Sequence, residues 1–210
     1  MQTNRIRVNE EGLGREESLK EAARFCSYHD LDHKTSLRIQ LLVEETLGML
    51  TAITESFEAD LWLESDRDHN CRIHLTAQTI MDYSKKKQLL DVSRSGHNTA
   101  AAGFMGKVRD VIANTMLHID EVGRLQLQYG YGPVMYGSMG VDPESMTTNT
   151  MIYTWSMRKY QDALDQARDE NQEAREAWDE LEKSIVANIA DDILVGVTGD
   201  QVDLVIIKKM

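Results

Sequence analysis

Cysteine, proline, positive charge and long apolar runs are what this 210-residue chain has little of. The two cysteines, Cys26 and Cys71, stand far apart with no CxxC spacing, so two free thiols in a cytoplasmic protein is the simplest reading. The apolar runs span only a few residues, too short for a transmembrane helix. The first residues, MQTNRIRVNEEG, hold no apolar signal segment, so export is not expected. Against 35 acidic side chains there are only 23 Lys and Arg, a formal net charge of -12. That balance argues against non-specific binding to nucleic acid or to an anionic membrane surface. It leaves room for a nucleotide, because a local glycine-rich loop can hold phosphate inside an acidic protein. Neither a Walker A sequence nor GxGxxG is present. Hydrophobic content of 41% and charged content of 28% are those of an ordinary globular protein, and the length suits one domain over residues 1–210.

What the sequence does have is a helix around which the rest can be arranged. Over Ser36 to Phe57, SLRIQLLVEETLGMLTAITESF, a turn of about 100° per residue gathers Ile39, Leu42, Val43, Thr46, Met49, Leu50, Ile53 and Phe57 on one wide face. Such a face is broad enough to lie on a sheet. Glu45 sits at its edge, where a carboxylate either looks into a cleft or is simply solvated, and Glu44 lies nearly opposite its centre.

Before this helix, Arg5 to Val8 alternates like a short edge strand. Glu10 to His29 has a helical pattern with Leu19, Ala22, Ala23 and Cys26 on one side and a first turn weakened by Gly12 and Gly14. The loop HDLDH offers His29 and His33 with Asp30 and Asp32 between them. Without a convincing third ligand, Asp32 is read as the cap of the next helix and no metal ligand is assigned. After the helix, Glu58 to Glu64 and Cys71 to Ile80 form a hairpin joined by SDRDHN. Asp82 follows at the strand end, as a functional side chain or as an N-cap. Gly96, Gly103 and Gly106 then frame a small-residue loop that either packs closely or presents backbone N–H groups to an anion. Lys107 falls in the first turn of the next helix, which carries Phe104, Val108, Val111, Ile112, Thr115, Met116 and Ile119 at helical spacing.

Gln126 to Asn149 holds both prolines, four glycines and three tyrosines, Tyr129, Tyr131 and Tyr136, and reads as a lid, a recognition loop or a plain connection. From about Thr154 to Asp191 the pattern is that of one long charged helix. Its stripe, Tyr160, Leu164, Ala167, Asn171, Ala174, Trp178, Leu181 and Ile185, repeats every 3.5 residues on average. Ala167, Ala174 and Asn171 are weak seam residues, so the stripe suits another helix of the same chain as well as a homodimer. Like-charged pairs such as Asp169–Glu173 and Glu176–Glu180 mean that the helix needs a packing partner. The chain closes on a tight hairpin in which Ile193, Val195 and Val197 match Val202, Leu204 and Ile206. The expected class is α+β: a two-layer sandwich of a mixed, mostly antiparallel sheet with helices on one face, and residues 120–184 inserted as an irregular loop and a long helix.

This order of elements resembles the GHKL (histidine-kinase-like) ATPase superfamily, nearest to its small cytosolic branch that includes anti-sigma-factor serine kinases, and with it the Bergerat-type ATP-binding fold. LLVEETLGML is similar to the family's N-box, in which a helix presents Glu and, four residues on, Asn. Glu45 matches the Glu, and Met49 stands where the metal-holding Asn is expected. A thioether does not ligate a hard cation, so Mg²⁺ loses its ligand there. MDYS is similar to the box DxGxG. Asp82 matches its Asp, while Ser84 and Lys86 replace the glycines. AAGFMGKVRDVI resembles the later glycine box, with Gly103 and Gly106 one residue further apart. The resemblance implies ATP as ligand, with Glu45 as general base, Asp82 on the adenine amino group, and Gly103, Gly106 and Lys107 around phosphate. It leaves two readings. One is a regulatory ATP-binding protein with weak or absent kinase or ATPase activity. The other is a catalytically inactive module that binds a protein partner and no nucleotide.

Overall fold

The computed structural model describes residues 1–9, 11–53, 57–79, 108, 153–198 and 201–210. Among the described residues six strands form one sheet: β1 (Ile6–Asn9), β2 (Phe57–Ser65), β3 (Asn70–Thr79), β4 (Tyr153–Ser156), β5 (Asp192–Thr198) and β6 (Gln201–Lys209). Their order across the sheet is β1-β2-β3-β6-β5-β4. Every pairing among the described strands is antiparallel, which agrees with the mostly antiparallel sheet expected and shows no parallel pair among them. Both expected hairpins are present, β2–β3 and β5–β6, and the two join through β3 and β6. The five described helices are α1 (Arg15–Tyr28), α2 (His33–Ile53), α3 (Met157–Ala167), α4 (Gln172–Lys183) and α5 (Ile185–Ile189). The class is therefore α+β, and none of the described helices is long and apolar enough to cross a membrane.

Alternation of side chains gives the sheet two faces. One row runs Ile6, Leu61, Leu75, Leu204, Val195, Trp155 across all six strands. With Val8, Ala59, Leu63, Ile73, Ala77, Val202, Ile206 and Ile193 it makes the face that enters the hydrophobic core. Ala22, Phe25 and Cys26 of α1 and Ile39, Leu42, Val43 and Leu47 of α2 complete the same cluster. Val108, a helical residue, joins it too, at the position expected for a buried residue of the helix after the glycine loop.

Local chemistry fixes where elements begin. α1 starts at Arg15 rather than near residue 10, because Gly14 caps it in the left-handed region at φ 72°. Asn9 Oδ1 accepts from Glu11 N and Leu13 N and turns the chain out of β1. Asp32 Oδ1 accepts from Lys34 N at 2.8 Å and Thr35 N at 3.1 Å, and Oδ2 accepts from the Thr35 hydroxyl. This is the expected cap, and it draws Asp32 toward the first turn of α2. In the β2–β3 turn, Asp66 accepts from Asn70 N, Asn70 Nδ2, Asp68 N and Arg72 Nε. Those bonds, the Asn70 side chain foremost, hold its carboxyl down at about 2.

The expected single helix from Thr154 to Asp191 is corrected. Its first residues belong to edge strand β4, and the remainder is three helices. The break after Ala167 has a visible cause. Asn171, a weak point in the stripe, uses its side-chain oxygen to accept from Ala174 N at 3.4 Å. Arg175 donates back to the Arg168 and Asp169 carbonyls, satisfying groups that a helix end leaves open. Arg168 in turn covers the Trp178 ring at 4.5 Å. Ser184 caps α5 through Ala187 N. The stripe residues Leu164, Ala174 and Leu181 are buried in this chain's own core, with Tyr160, Ala167 and Trp178 packed against it. The packing partner the stripe needs is thus supplied within the chain.

Candidate functional site

α2 positions the first candidate. Ile39, Leu42, Val43 and Thr46 are fully buried and Leu47 nearly so. Thr46 is accommodated there because its hydroxyl donates to the Leu42 carbonyl at 2.6 Å. Glu44 faces outward and pairs with Arg15 of α1 at 3.2 Å. Glu45 falls between these environments, half-buried, and no ion pair or hydrogen bond to its carboxylate occurs among the described residues. α2 ends at Ile53, and β2 begins at Phe57, which pairs with Thr79 at the end of β3. The C-terminal part of α2 therefore lies toward the end of the sheet from which the chain continues to Asp82. Glu45 is about 12 Å back along the helix axis from Ile53 at 1.5 Å per residue.

The other residues of the expected site, Asp82, Gly103, Gly106 and Lys107, lie outside the described residues, as do residues 126–149 and the side chain of Met49. Among the described residues no three His, Cys, Asp or Glu side chains come together as metal ligands. Glu45 as one carboxylate, with a thioether residue one turn later, does not fit Mg²⁺, which asks for several oxygen ligands. The two thiols are buried and free, and burial pushes both upward from their usual range, so neither is a ready nucleophile.

A second group of side chains lies on the sheet face opposite the core. Trp62 and Val205 are buried, yet they stand outside the hydrophobic cluster that the core-facing rows form. In register, Trp62 is opposite His74, which is opposite Val205. The Trp62 and His74 rings stack in parallel with centroids 4.8 Å apart, and the Arg5 guanidinium lies 4.3 Å from the Trp62 ring centre. His74 Nε2 comes within 3.3 Å of Glu64 Oε2, without the alignment of a hydrogen bond. One row further along, Asp203 is only 3% exposed. It accepts from the Thr76 hydroxyl at 2.6 Å and from Gln201 Nε2 at 2.9 Å. Asp203→Ala is expected to cost about 1–3 kcal/mol, by removing the acceptor of the half-buried Thr76 hydroxyl and of Gln201 and leaving a small void. Urea unfolding at neutral pH measures it, and an unchanged midpoint would contradict the bonded role.

Reasoning from the sequence passed over this second group. A signal was available for Asp203, an acidic residue inside the apolar strand QVDLVII, where Asp is depleted. None was available for Arg5, Trp62 and His74, which meet only through strand register. No family model, curated protein or solved structure matches this chain.

Proposed function

We propose that this chain is a regulatory ATP-binding protein of the Bergerat-type, histidine-kinase-like fold, with little or no hydrolysis. The observation that carries the reading is the placement of α2. It lies beside α1 and over β3, its Glu45 carboxylate is free among the described residues, and its C-terminal end approaches the sheet end that leads to Asp82. The resemblance rests on the order long helix, two strands, Asp at the strand end, glycine loop, helix and closing hairpin; of these the long helix and the two hairpins are among the described residues, and the second hairpin docks on the first. In this reading Asp82 receives the adenine amino group, and Gly103, Gly106 and Lys107 surround the phosphates. Glu45 is the candidate base, and Met49 removes the metal ligand that phosphoryl transfer relies on to neutralise developing charge. Binding without turnover is the consequence.

The test is thermal unfolding with and without millimolar ATP or ADP, each with and without Mg²⁺. A ligand that binds only the native state raises the midpoint, by about 2.7 kcal/mol of stability at a hundredfold excess over Kd. The expected result is a shift with ATP that Asp82→Ala removes and that does not depend on Mg²⁺. No shift with any nucleotide would overturn the reading in favour of a protein-binding module without ligand.

A further inference from the structure

The Arg5–Trp62–His74 stack lies away from Glu45 and is not used by the proposed function. Trp62 is on β2, between the segment leading into β1 on one side and β3 on the other. Continuing the β1–β2 register from Ile6 opposite Leu61 sets Arg5 opposite Trp62, and Trp62 is opposite His74. The indole is thus sandwiched, with a cation on one flank and an imidazole on the other. The same N-terminal segment is tied to β2 further along. Thr3 N donates to the Leu63 carbonyl at 2.9 Å, Leu63 N donates to Thr3 Oγ1 at 2.9 Å, and Gln2 bridges to Glu64.

We propose that this stack is a proton-sensitive fastening, which holds residues 2–5 on β2 while His74 is neutral and loosens them when His74 is protonated. The His74 side chain is 15% exposed, and among the described residues its Nε2 has no hydrogen-bond partner. The groups that share its face are, from β2, Glu64, Trp62 and Asp60; from β3, Arg72 and Thr76; from β6, Val205, Asp203 and Ile207; and from the N-terminal segment, Arg5. Burial opposes a charge on the ring most strongly; Glu64 favours it, and Arg72 and Arg5 oppose it. An imidazolium would put a second cation against the indole that Arg5 already occupies, and would recruit Glu64 as its counter-charge. Both changes act on the part of β2 to which residues 2–5 are bonded.

The sign of the pH dependence follows. His74 binds a proton less readily when folded than when unfolded, where its value is about 6.5. The fastening is intact above that value and is lost as pH falls below it toward the lower folded value. The experiment is amide hydrogen exchange with NMR titration of the His74 ring on the full chain, from about pH 7.5 to about pH 5.5. Protection factors of Thr3 and Leu63, corrected for intrinsic rates, are expected to fall by about tenfold with the His74 midpoint. In His74→Phe, which keeps a flat ring against Trp62, and in His74→Gln they are expected to stay flat. Protection that persists while the ring titrates, a ring that does not titrate in this range, or an equal fall in His74→Phe overturns the proposal.

Discussion

Gly14→Ala is expected to destabilise the protein by about 3 kcal/mol or more, although it adds one methyl group. Two independent costs coincide at this position. The backbone is left-handed at φ 72°, a region that side chains with a Cβ enter only with strain. A Cβ built there would also collide with the Arg7 carbonyl oxygen, with Ile6 Cγ2 and Val8 Cγ1 each at 3.0 Å. The obstacle is the backbone of β1, which the ladder to β2 holds in place, so it cannot move aside as a flexible side chain would. Gly12 is the internal comparison. Its φ of 91° is just as unfavourable for alanine, but nothing lies within 4 Å of its Cβ position. Gly12→Ala should therefore cost only the conformational part, about 1 kcal/mol. Urea unfolding of the two variants separates strain from collision. Equal losses would mean that the close approach of α1 to β1 contributes nothing.

This close approach illustrates which parts of the fold the sequence states openly. Gly12 and Gly14 signal a weakened helix start, but the left-handed cap and the contact with Arg7 are set by how α1 returns over β1, which no local pattern records. Strands β2, β3, β5 and β6 were legible because each sends every second side chain into the core, most plainly on β3, where Cys71, Ile73, Leu75 and Ala77 are buried and Arg72, His74 and Thr76 between them are partly exposed. The stripe from Tyr160 to Ile185 misled for the opposite reason. Its spacing is preserved from one helix to the next, so periodicity could not reveal that Asn171 caps a new helix and that Arg168 and Trp178 fold the two together. Strand β4 was missed because YTWS is short and merges into the helical pattern that follows it. Of the expected site, Glu45 was legible as an edge residue of an amphipathic helix, and the structure gives it the half-buried position that edge implies. The stack on the opposite face was not legible, because it joins residues from three separate stretches of chain.

Leu42 and Glu45, on the same helix, provide the second large expected effect and a way to separate scaffold from chemistry. Leu42 is fully buried in the core cluster beneath α2, and Leu42→Ala is expected to cost about 2–5 kcal/mol through lost burial and the cavity left behind. That is a large share of the stability of a small domain, so the variant should lower the urea midpoint sharply and, with it, any ligand binding. Glu45 is half-buried, and among the described residues nothing bonds its carboxylate, so Glu45→Gln should leave stability within about 0.5 kcal/mol of the original. Stability and chemistry then come apart. If the chain turns over ATP at all through Glu45, the glutamine variant should lose about a hundredfold or more of that rate while melting normally and retaining the ATP-induced shift. A residual rate equal in both proteins would remove Glu45 from any catalytic role and leave nucleotide binding, if the shift is seen, as the whole of the activity. A Glu45→Gln variant that melts far below the original would instead reveal a structural bond to this carboxylate and make it unsuitable as a probe of chemistry.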